Sequence, residues 1–364
     1  MDNLSIKSLG EVIELKYGKP ISPNERDSNG KNPIYGANGV LGMTDKYLID
    51  DEAIIVGRKG SAGQVNRVSG KFWPSDVTYY VVGNGHADVD YIYYLLRYLD
   101  LPKLAKGVKP GLNRNDVYEM NVAMPTISDQ RKIAQNLLQA DILMQKRNLS
   151  ISLFDEYLSS VFLQMFGDPI NNPKNWELKK FGSIGTLDRG ISKHRPRNAP
   201  ELLNGAHPLI QTGDVANSGI YIETYKSTYS DIGLKQSKKW PKGTLCITIA
   251  ANIAKTGILN FDACFPDSVV GFVPDTNQTN NIFIHFWMSF LQEMLEKNAP
   301  ESAQKNINLK ILRELDVIMP PVILQNKFLE IVRSTETIKQ KMLKQLDEIK
   351  IHSQSLMQMS FNSR

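Results

Sequence analysis

The 364-residue sequence holds only two cysteines, no long apolar run and no complete catalytic signature. Cys246 and Cys264 stand singly in the apolar runs LCITI and ACF, without a CxxC pair. They read as buried, reduced thiols, which excludes a disulfide framework or a thiolate zinc site. No apolar stretch approaches the roughly 18 residues that a membrane helix needs. The opening MDNLSIKSLG lacks a basic stretch followed by an apolar core, so no signal peptide is expected and a cytoplasmic setting is. The histidines His86, His194, His207, His285 and His352 are scattered, and none forms an HExxH or other metal-ligand pattern. Gly57-Arg58-Lys59-Gly60-Ser61 is glycine-rich and basic, but its spacing is wrong for a loop that cradles nucleotide phosphates. Asn172-Pro173-Lys174 lacks the second proline and the aromatic of an amine-methylating motif. Ser302-Ala303-Gln304-Lys305 fits SxxK, a pattern too short to carry weight. No catalytic residue, metal or cofactor is expected in this chain. Charge of one sign is also scarce: 43 Lys+Arg against 38 Asp+Glu leave +5. That permits a nucleic-acid partner without arguing for one, since binding depends on where charge clusters.

What is present is a repeat. KSLGEVIELKYGKPIS begins at Lys7, and KKFGSIGTLDRGISK begins at Lys179. Gly10 and Gly18 recur 172 positions later as Gly182 and Gly190. Gly18 and Gly190 follow strand-like patterns and suit positive φ. Leu112–Ile133 and Ile307–Phe328 match without gaps at an offset of 195. There Asn113, Glu119, Val122, Met124, Pro125, Gln130 and Lys132 recur as Asn308, Glu314, Val317, Met319, Pro320, Gln325 and Lys327. The growing offset means that the second copy carries about two dozen extra residues. Between the anchors, each copy has short β-branched runs, an aromatic-Pro element (Trp73-Pro74, Phe265-Pro266) and an aromatic helix pattern. Both copies read as α+β.

A sustained heptad follows each copy. The first seam runs through Ile133, Leu137, Ala140, Met144, Arg147, Ile151, Phe154, Leu158, Val161 and Met165. The second runs through Leu324, Phe328, Ile331, Thr335, Ile338, Met342, Gln345, Ile349, His352, Leu356 and Met359, with His352 a packing residue. Heptads of this length argue for a coiled coil. The expected organisation is residues 1–127, a first domain; 128–167, a helix; 168–174, a polar linker; 175–322, a second domain; 323–361, a second helix. Antiparallel pairing of the helices would relate the two domains by a pseudo-twofold axis. It would separate them along a rod of about 50 Å at about 1.5 Å per residue. A DNA duplex has local twofold axes of its own. Two different domains so placed would meet an asymmetric, split sequence with an unread spacer.

These features, with IYGANGVLG (Ile34 to Gly42), IIVGRKGSAG (Ile54 to Gly63), KPGLNRNDV (Lys109 to Val117) and LFDEYLSSVFLQMFGDP (Leu153 to Pro169), resemble the specificity subunit of type I restriction–modification systems over essentially the whole chain. The resemblance implies two target-recognition domains separated by an antiparallel two-helix coiled coil. It implies double-stranded DNA as a partner, two modification (methyltransferase) subunits docked on the helices, and restriction (translocase–nuclease) subunits joining them. S-adenosylmethionine, ATP and Mg are then expected on those subunits. A specificity chain for another modification system shares this architecture, and a coiled-coil protein-binding scaffold is the alternative from a different class.

Phosphate contacts are expected from cations beside glycines, where backbone N–H groups also approach the strand. In the first copy these are Arg58, Lys59, Ser61, Lys106, Lys109, Asn113 and Arg114. In the second, Lys193, His194, Arg195 and Arg197 form the densest basic cluster, and Lys255, Lys305 and Asn306 stand as counterparts of the first copy's loops. Base reading needs amides and aromatic contacts, for which Tyr35, Asn38, Gln211, Thr212 and Asn252 are the candidates. Turn chemistry by Asn and Gly is as natural a role for YGANG, and solvated surface charge for the cations.

Overall fold

The computed structural model describes residues 5–82, 87–250, 253–297 and 307–362. The chain divides into two compact units, Met1–Ser150 with Met342–Arg364, and Ile151–Lys341. The division falls inside both long helices, so each unit owns a piece of each.

In the first unit, strand β1 (Ser5–Ser8) pairs antiparallel with β10 (Asn121–Met124) and closes the domain at its neck. Helix α1 (Leu9–Val12) follows β1 directly. One sheet has the order β2 (Lys16–Tyr17), β9 (Thr78–Val82), β6 (Ala53–Gly57), β7 (Val65–Val68). All five residues of β6 are buried, which is why the run is apolar, with β-branched Ile54, Ile55 and Val56 at its centre. The second sheet has the order β4 (Gly39–Thr44), β3 (Asn32–Gly36), β8 (Lys71–Pro74), β5 (Ile49–Asp50). Helix α2 (Val89–Tyr98) starts where the Asp88 side chain accepts from Tyr91 N–H, and it buries Tyr91, Ile92, Tyr94, Leu95 and Leu96. Helix α3 (Arg114–Tyr118) leads into β10. The core also takes in Ala134 and Leu137 from the start of α4 (Ile127–Phe166) and Phe361 from the end of α9 (Val322–Phe361). The Phe361 ring lies 5.3 Å from that of Tyr91 and 5.5 Å from that of Tyr98.

The second unit repeats this plan strand for strand. β11 (Leu178–Lys180) pairs with β21 (Asp316–Ile318) at the neck. Phe181 N–H donates to Leu315 O as Leu9 N–H does to Met120 O. One sheet has the order β12 (Gly185–Arg189), β20 (Val269–Pro274), β17 (Leu245–Thr248), β18 (Thr256–Leu259), extended by β14 (Tyr221–Ile222). The other has the order β15 (Ser227–Tyr229), β13 (Leu203–Leu209), β19 (Ala263–Cys264), β16 (Lys239–Trp240). The parallel pairing of β3 with β8 in the first unit's second sheet, Ile34 with Trp73 and Tyr35 with Pro74, reappears between β13 and β19 as Leu209 with Cys264. Much of the added length is α5 (Thr212–Ala216) and β14, inserted between the strands that form a tight hairpin in the first unit. The short helix α6 (Asp231–Lys235) follows β15. Helix α7 (Asn281–Lys297) has 17 residues where α2 has 10, and α8 (Leu309–Glu314) stands where α3 does. Phe162 of α4 centres an aromatic cluster with Phe166, Phe283, Phe286, Phe290 and Phe328, at centroid distances of 4.9 to 6.2 Å. Both cysteines are buried free thiols, and burial raises the pKa of each. No helix among the described residues is long and apolar enough to cross a membrane.

The repeated glycines serve close approach. A Cβ on Gly10 would stand 3.0 Å from Tyr118 Cβ, and one on Gly182 would stand 3.0 Å from Arg313 Cβ. On Gly18 it would lie 2.1 Å from Ser75 O, and on Gly190 2.2 Å from Phe265 O. The expectation of positive φ at Gly18 and Gly190 is therefore wrong, for neither is among the positive-φ glycines. They make room for the backbone of the aromatic-Pro element.

In each unit α4 and α9 pack antiparallel. The second unit pairs Asp155 with Lys339 at 2.8 Å and Phe162 with Phe328; the first gathers Leu137 with Leu356 and Phe361. Along α4 every expected seam position is buried or half-buried: Leu137 and Leu158 fully, Ile133, Met144, Phe154 and Met165 partly. Along α9 one row of the seam lies where expected, at Phe328, Thr335, Met342, Ile349 and Leu356. The other row holds at Leu324 and Ile331, which are half-buried against the core, and is displaced by one residue beyond them. Val332, Lys339, Leu346, Ser353 and Ser360 are buried or half-buried, whereas Ile338 is 51% exposed and Gln345, His352 and Met359 are exposed. Ile338 as a seam residue and His352 as a packing residue are thus corrected. The 4-3 spacing holds, but polar Lys339 and Ser353 occupy positions that hydrophobicity assigned to their neighbours. Past Phe166, Gly167 takes φ +80° and the Lys174 ammonium donates to the carbonyls of Gln164 and Met165 at 2.8 Å each, so the linker caps the helix it follows.

Candidate nucleic-acid interface

In the first unit two loops that are distant in sequence are tied together. Gly60 N–H donates to Pro110 O at 3.1 Å, Leu112 N–H donates to Arg58 O at 2.9 Å, and Gly111 bridges to both Lys59 and Lys106. This brings Arg58, Lys59, Ser61, Lys106, Lys109, Asn113 and Arg114 into one neighbourhood. Gly60, Gly63 and Gly107 hold positive φ there, which is why these turns are glycine-rich. Lys59, Ser61, Lys106 and Lys109 are exposed. The Lys106 ammonium lies 2.7 Å from Asp116, whose hydrogen bond and charge raise its pKa. Asn113 has a structural role. Its side chain accepts from Asn115 N–H and caps α3, as Asn308 accepts from Ile311 N–H and caps α8.

Arg58 and Arg114 converge on one ring. The Arg58 guanidinium donates to Asp76 O and lies 5.4 Å from the Tyr17 ring centroid. Arg114 lies 5.3 Å from the same centroid and 5.7 Å from that of Tyr118. Sequence does not single out Tyr17, because one tyrosine on a short strand carries no local signal. Nor does it single out Val108, which is fully exposed between Gly107 and Lys109.

The YGANG segment forms the hairpin between β3 and β4, with Gly36 paired to Gly39. Asn38 is exposed at its tip, beside Val40 and Leu41, which are 57% and 55% exposed. Tyr35 is half-buried, its ring edge-on to Phe72 at 5.8 Å.

In the second unit Arg195 and Arg197 share the Asp267 carboxylate, Arg195 at 3.7 Å and Arg197 in direct contact. Arg195 also donates to the carbonyls of Ser192 and His194. Lys193 is exposed, and His194 lies 3.8 Å from Glu201. Gln211 and Thr212 open α5, away from that cluster in sequence and on the insertion that the first unit lacks. Ile249 N–H donates to Ser268 O as Arg58 N–H does to Val77 O, 191 positions earlier in each case. By that register Lys255 corresponds to Gln64, and the loop cations Arg58 and Lys59 correspond to Ile249 and Ala250. Lys255 is exposed at a cavity of about 370 Å³ lined also by Asp155, Ser159, Ser218, Thr256 and His285. His285 Nδ1 is 2.9 Å from Thr256 Oγ1, and burial pushes its pKa down to about 4. Asn252, Lys305 and Asn306 lie outside the described residues. Among the described residues no cluster of three or more His, Cys, Asp or Glu could hold a metal ion.

A repeated α+β frame with diverged basic and amide-bearing loops, carried on paired long helices, defines the class: a protein with two recognition domains. The family model described as type I restriction modification DNA specificity domain matches residues 1–153 and again 173–352. The chain belongs to that family. It is 22% identical over 372 residues to the type I restriction enzyme EcoDI specificity subunit of Escherichia coli, covering 91% of this chain and 80% of the relative. It is 28% identical over 143 residues to the EcoprrI specificity subunit of Escherichia coli, covering 38% of this chain and 36% of that one. The fold matches the type I restriction-modification S subunit of M. genitalium with a TM-score of 0.66 at 17% identity, over 98% of this chain and 95% of that one.

Proposed function

We propose that the chain is a non-catalytic DNA-reading subunit of a type I restriction–modification complex, each unit reading one half of an asymmetric bipartite site. Methyltransferase subunits dock on α4 and α9, restriction subunits join that core, and S-adenosylmethionine, ATP and Mg act on those partners. The observation that carries this reading is the shared strand order of the two units beside their divergent loops. Both necks and all eight shared strands keep their pairing, while Arg58 and Lys59 become Ile249 and Ala250 and the first hairpin gains α5 and β14. A frame held constant under changing loops suits two readers of different sequences.

Methylome sequencing of cells carrying this chain with its partner subunits tests it. The expected result is a split motif of two unequal halves around an unread spacer, lost when the chain is deleted. A continuous motif, or methylation independent of this chain, would overturn the reading. The scaffold alternative predicts no salt-sensitive affinity for duplex DNA, whereas a reader's affinity falls steeply with salt.

A further inference from the structure

We propose that Tyr17 and the guanidiniums of Arg58 and Arg114 form a clamp for DNA backbone phosphate in the first unit, with no equivalent in the second. The inference rests on the DNA-reading function above. Two guanidiniums share one half-exposed ring, at 5.4 and 5.3 Å. Among the described residues neither forms an ion pair with a carboxylate. Arg67, Arg97 and Arg131 of the same unit each sit against an aspartate. Arg114 also keeps a buried Nε with no hydrogen-bond partner. Like charges gathered without a counter-ion repel, and an arriving phosphate relieves that repulsion while accepting charge-assisted hydrogen bonds.

The ring supplies the geometry. Its π system attracts both guanidiniums, so the side-chain entropy of two long residues is lost before the anion arrives. Asp76 O fixes Arg58 further, and Tyr118 backs Arg114. Tyr17 is therefore a positioning residue. Its counterpart is Arg189, as Gly190 follows it where Gly18 follows Tyr17; Arg58 and Arg114 correspond to Ile249 and Leu309. The second unit grips through the Arg195–Arg197 cluster instead, so the two halves of the site are held by different means.

The test is binding of the full chain to a random-sequence 40-bp duplex, followed by fluorescence anisotropy across a KCl series. Phosphates carry no sequence, so this probe suffices. Tyr17→Leu should weaken binding by about tenfold at 0.1 M KCl and reduce the log–log salt slope by roughly 0.9 to 1.8, the loss of one or two phosphate contacts. Tyr17→Phe should keep the wild-type slope, because the ring and not the hydroxyl does the holding. A wild-type slope in Tyr17→Leu, or an equal loss in Tyr17→Phe, overturns the clamp while leaving DNA reading intact. Absence of salt-dependent binding by the unmodified chain overturns DNA reading and the clamp with it. Should Tyr17→Leu not fold, Arg58→Gln and Arg114→Gln serve, each expected to lower the slope by about 0.9; unchanged slopes in both overturn the clamp.

Discussion

His285 is the histidine whose proton affinity the fold lowers. Its folded-state pKa of about 4 lies below the ordinary value of 6.5, because burial disfavours the imidazolium. The folded chain therefore binds this proton less readily than the unfolded chain does. Stability is full above about pH 6.5 and falls by roughly 1.4 kcal/mol per pH unit toward pH 4. Replacing His285 with Gln should flatten that part of the melting temperature–pH curve; an identical slope in the variant would show that other groups set it. Arg195 and Arg197 belong at the same scale. With Asp267 opposing them, the pair leaves a net positive charge at the surface. Arg195→Ala with Arg197→Ala should weaken binding to all DNA sequences alike and flatten the salt dependence by about 0.9 per lost phosphate contact. Unchanged affinity in an anisotropy titration would remove this cluster from the interface.

The long helices are the elements most legible in sequence, because a 4-3 apolar spacing survives over ten turns and the glycines and prolines mark its ends. At Ile338, Gln345, His352 and Met359 the buried position of the α9 seam nevertheless lies one residue away from where the spacing puts it. Ile338 and Met359 are more apolar than Lys339 and Ser360, and periodicity alone follows hydrophobicity. Burial selected the lysine instead, its stem covered and its ammonium on Asp155. The energetic consequence is direct. Leu346→Ala should destabilise the isolated chain by about 2–5 kcal/mol, and Ile338→Ala by less than about 0.5. Urea titrations of the two variants compare them; equal costs would restore the original seam. The sheets were legible only as short β-branched runs, since their pairing is set by contacts distant in sequence. Asn113, expected as a phosphate contact, also caps α3 through its side-chain oxygen, a role that its residue type alone does not announce. Arg58 and Arg114 were legible as cations beside glycines, whereas Tyr17, which orders them, lies some forty and a hundred residues away.

For the whole molecule, the repeat carried both the family and the proposed division of labour, and its anchors are now physical. They are necks, caps and close-approach glycines. Both long helices run through the boundary between the units, so each can be lengthened at that boundary without touching either core. One heptad added to each adds about 10.5 Å of rise. If DNA reading depends on that length, the unread spacer should grow by about three base pairs, at 3.4 Å per base pair. Methylome sequencing with the lengthened chain would show the altered spacer, and an unaltered one would refute the dependence.

The necks have one more consequence. Leu9 and Met120 are joined by a hydrogen bond of 2.8 Å, and Phe181 and Leu315 by one of 2.9 Å, so everything between each pair enters and leaves at the same point. Each interior behaves as a cartridge in a socket. A foreign cartridge ending in the same two strands would seat if it offered Leu137 and Phe361, or Phe162 and Phe328, the same apolar face, whatever its length elsewhere. If each unit reads DNA as proposed, new specificities can arise by exchange of whole blocks as readily as by substitution, residue after residue.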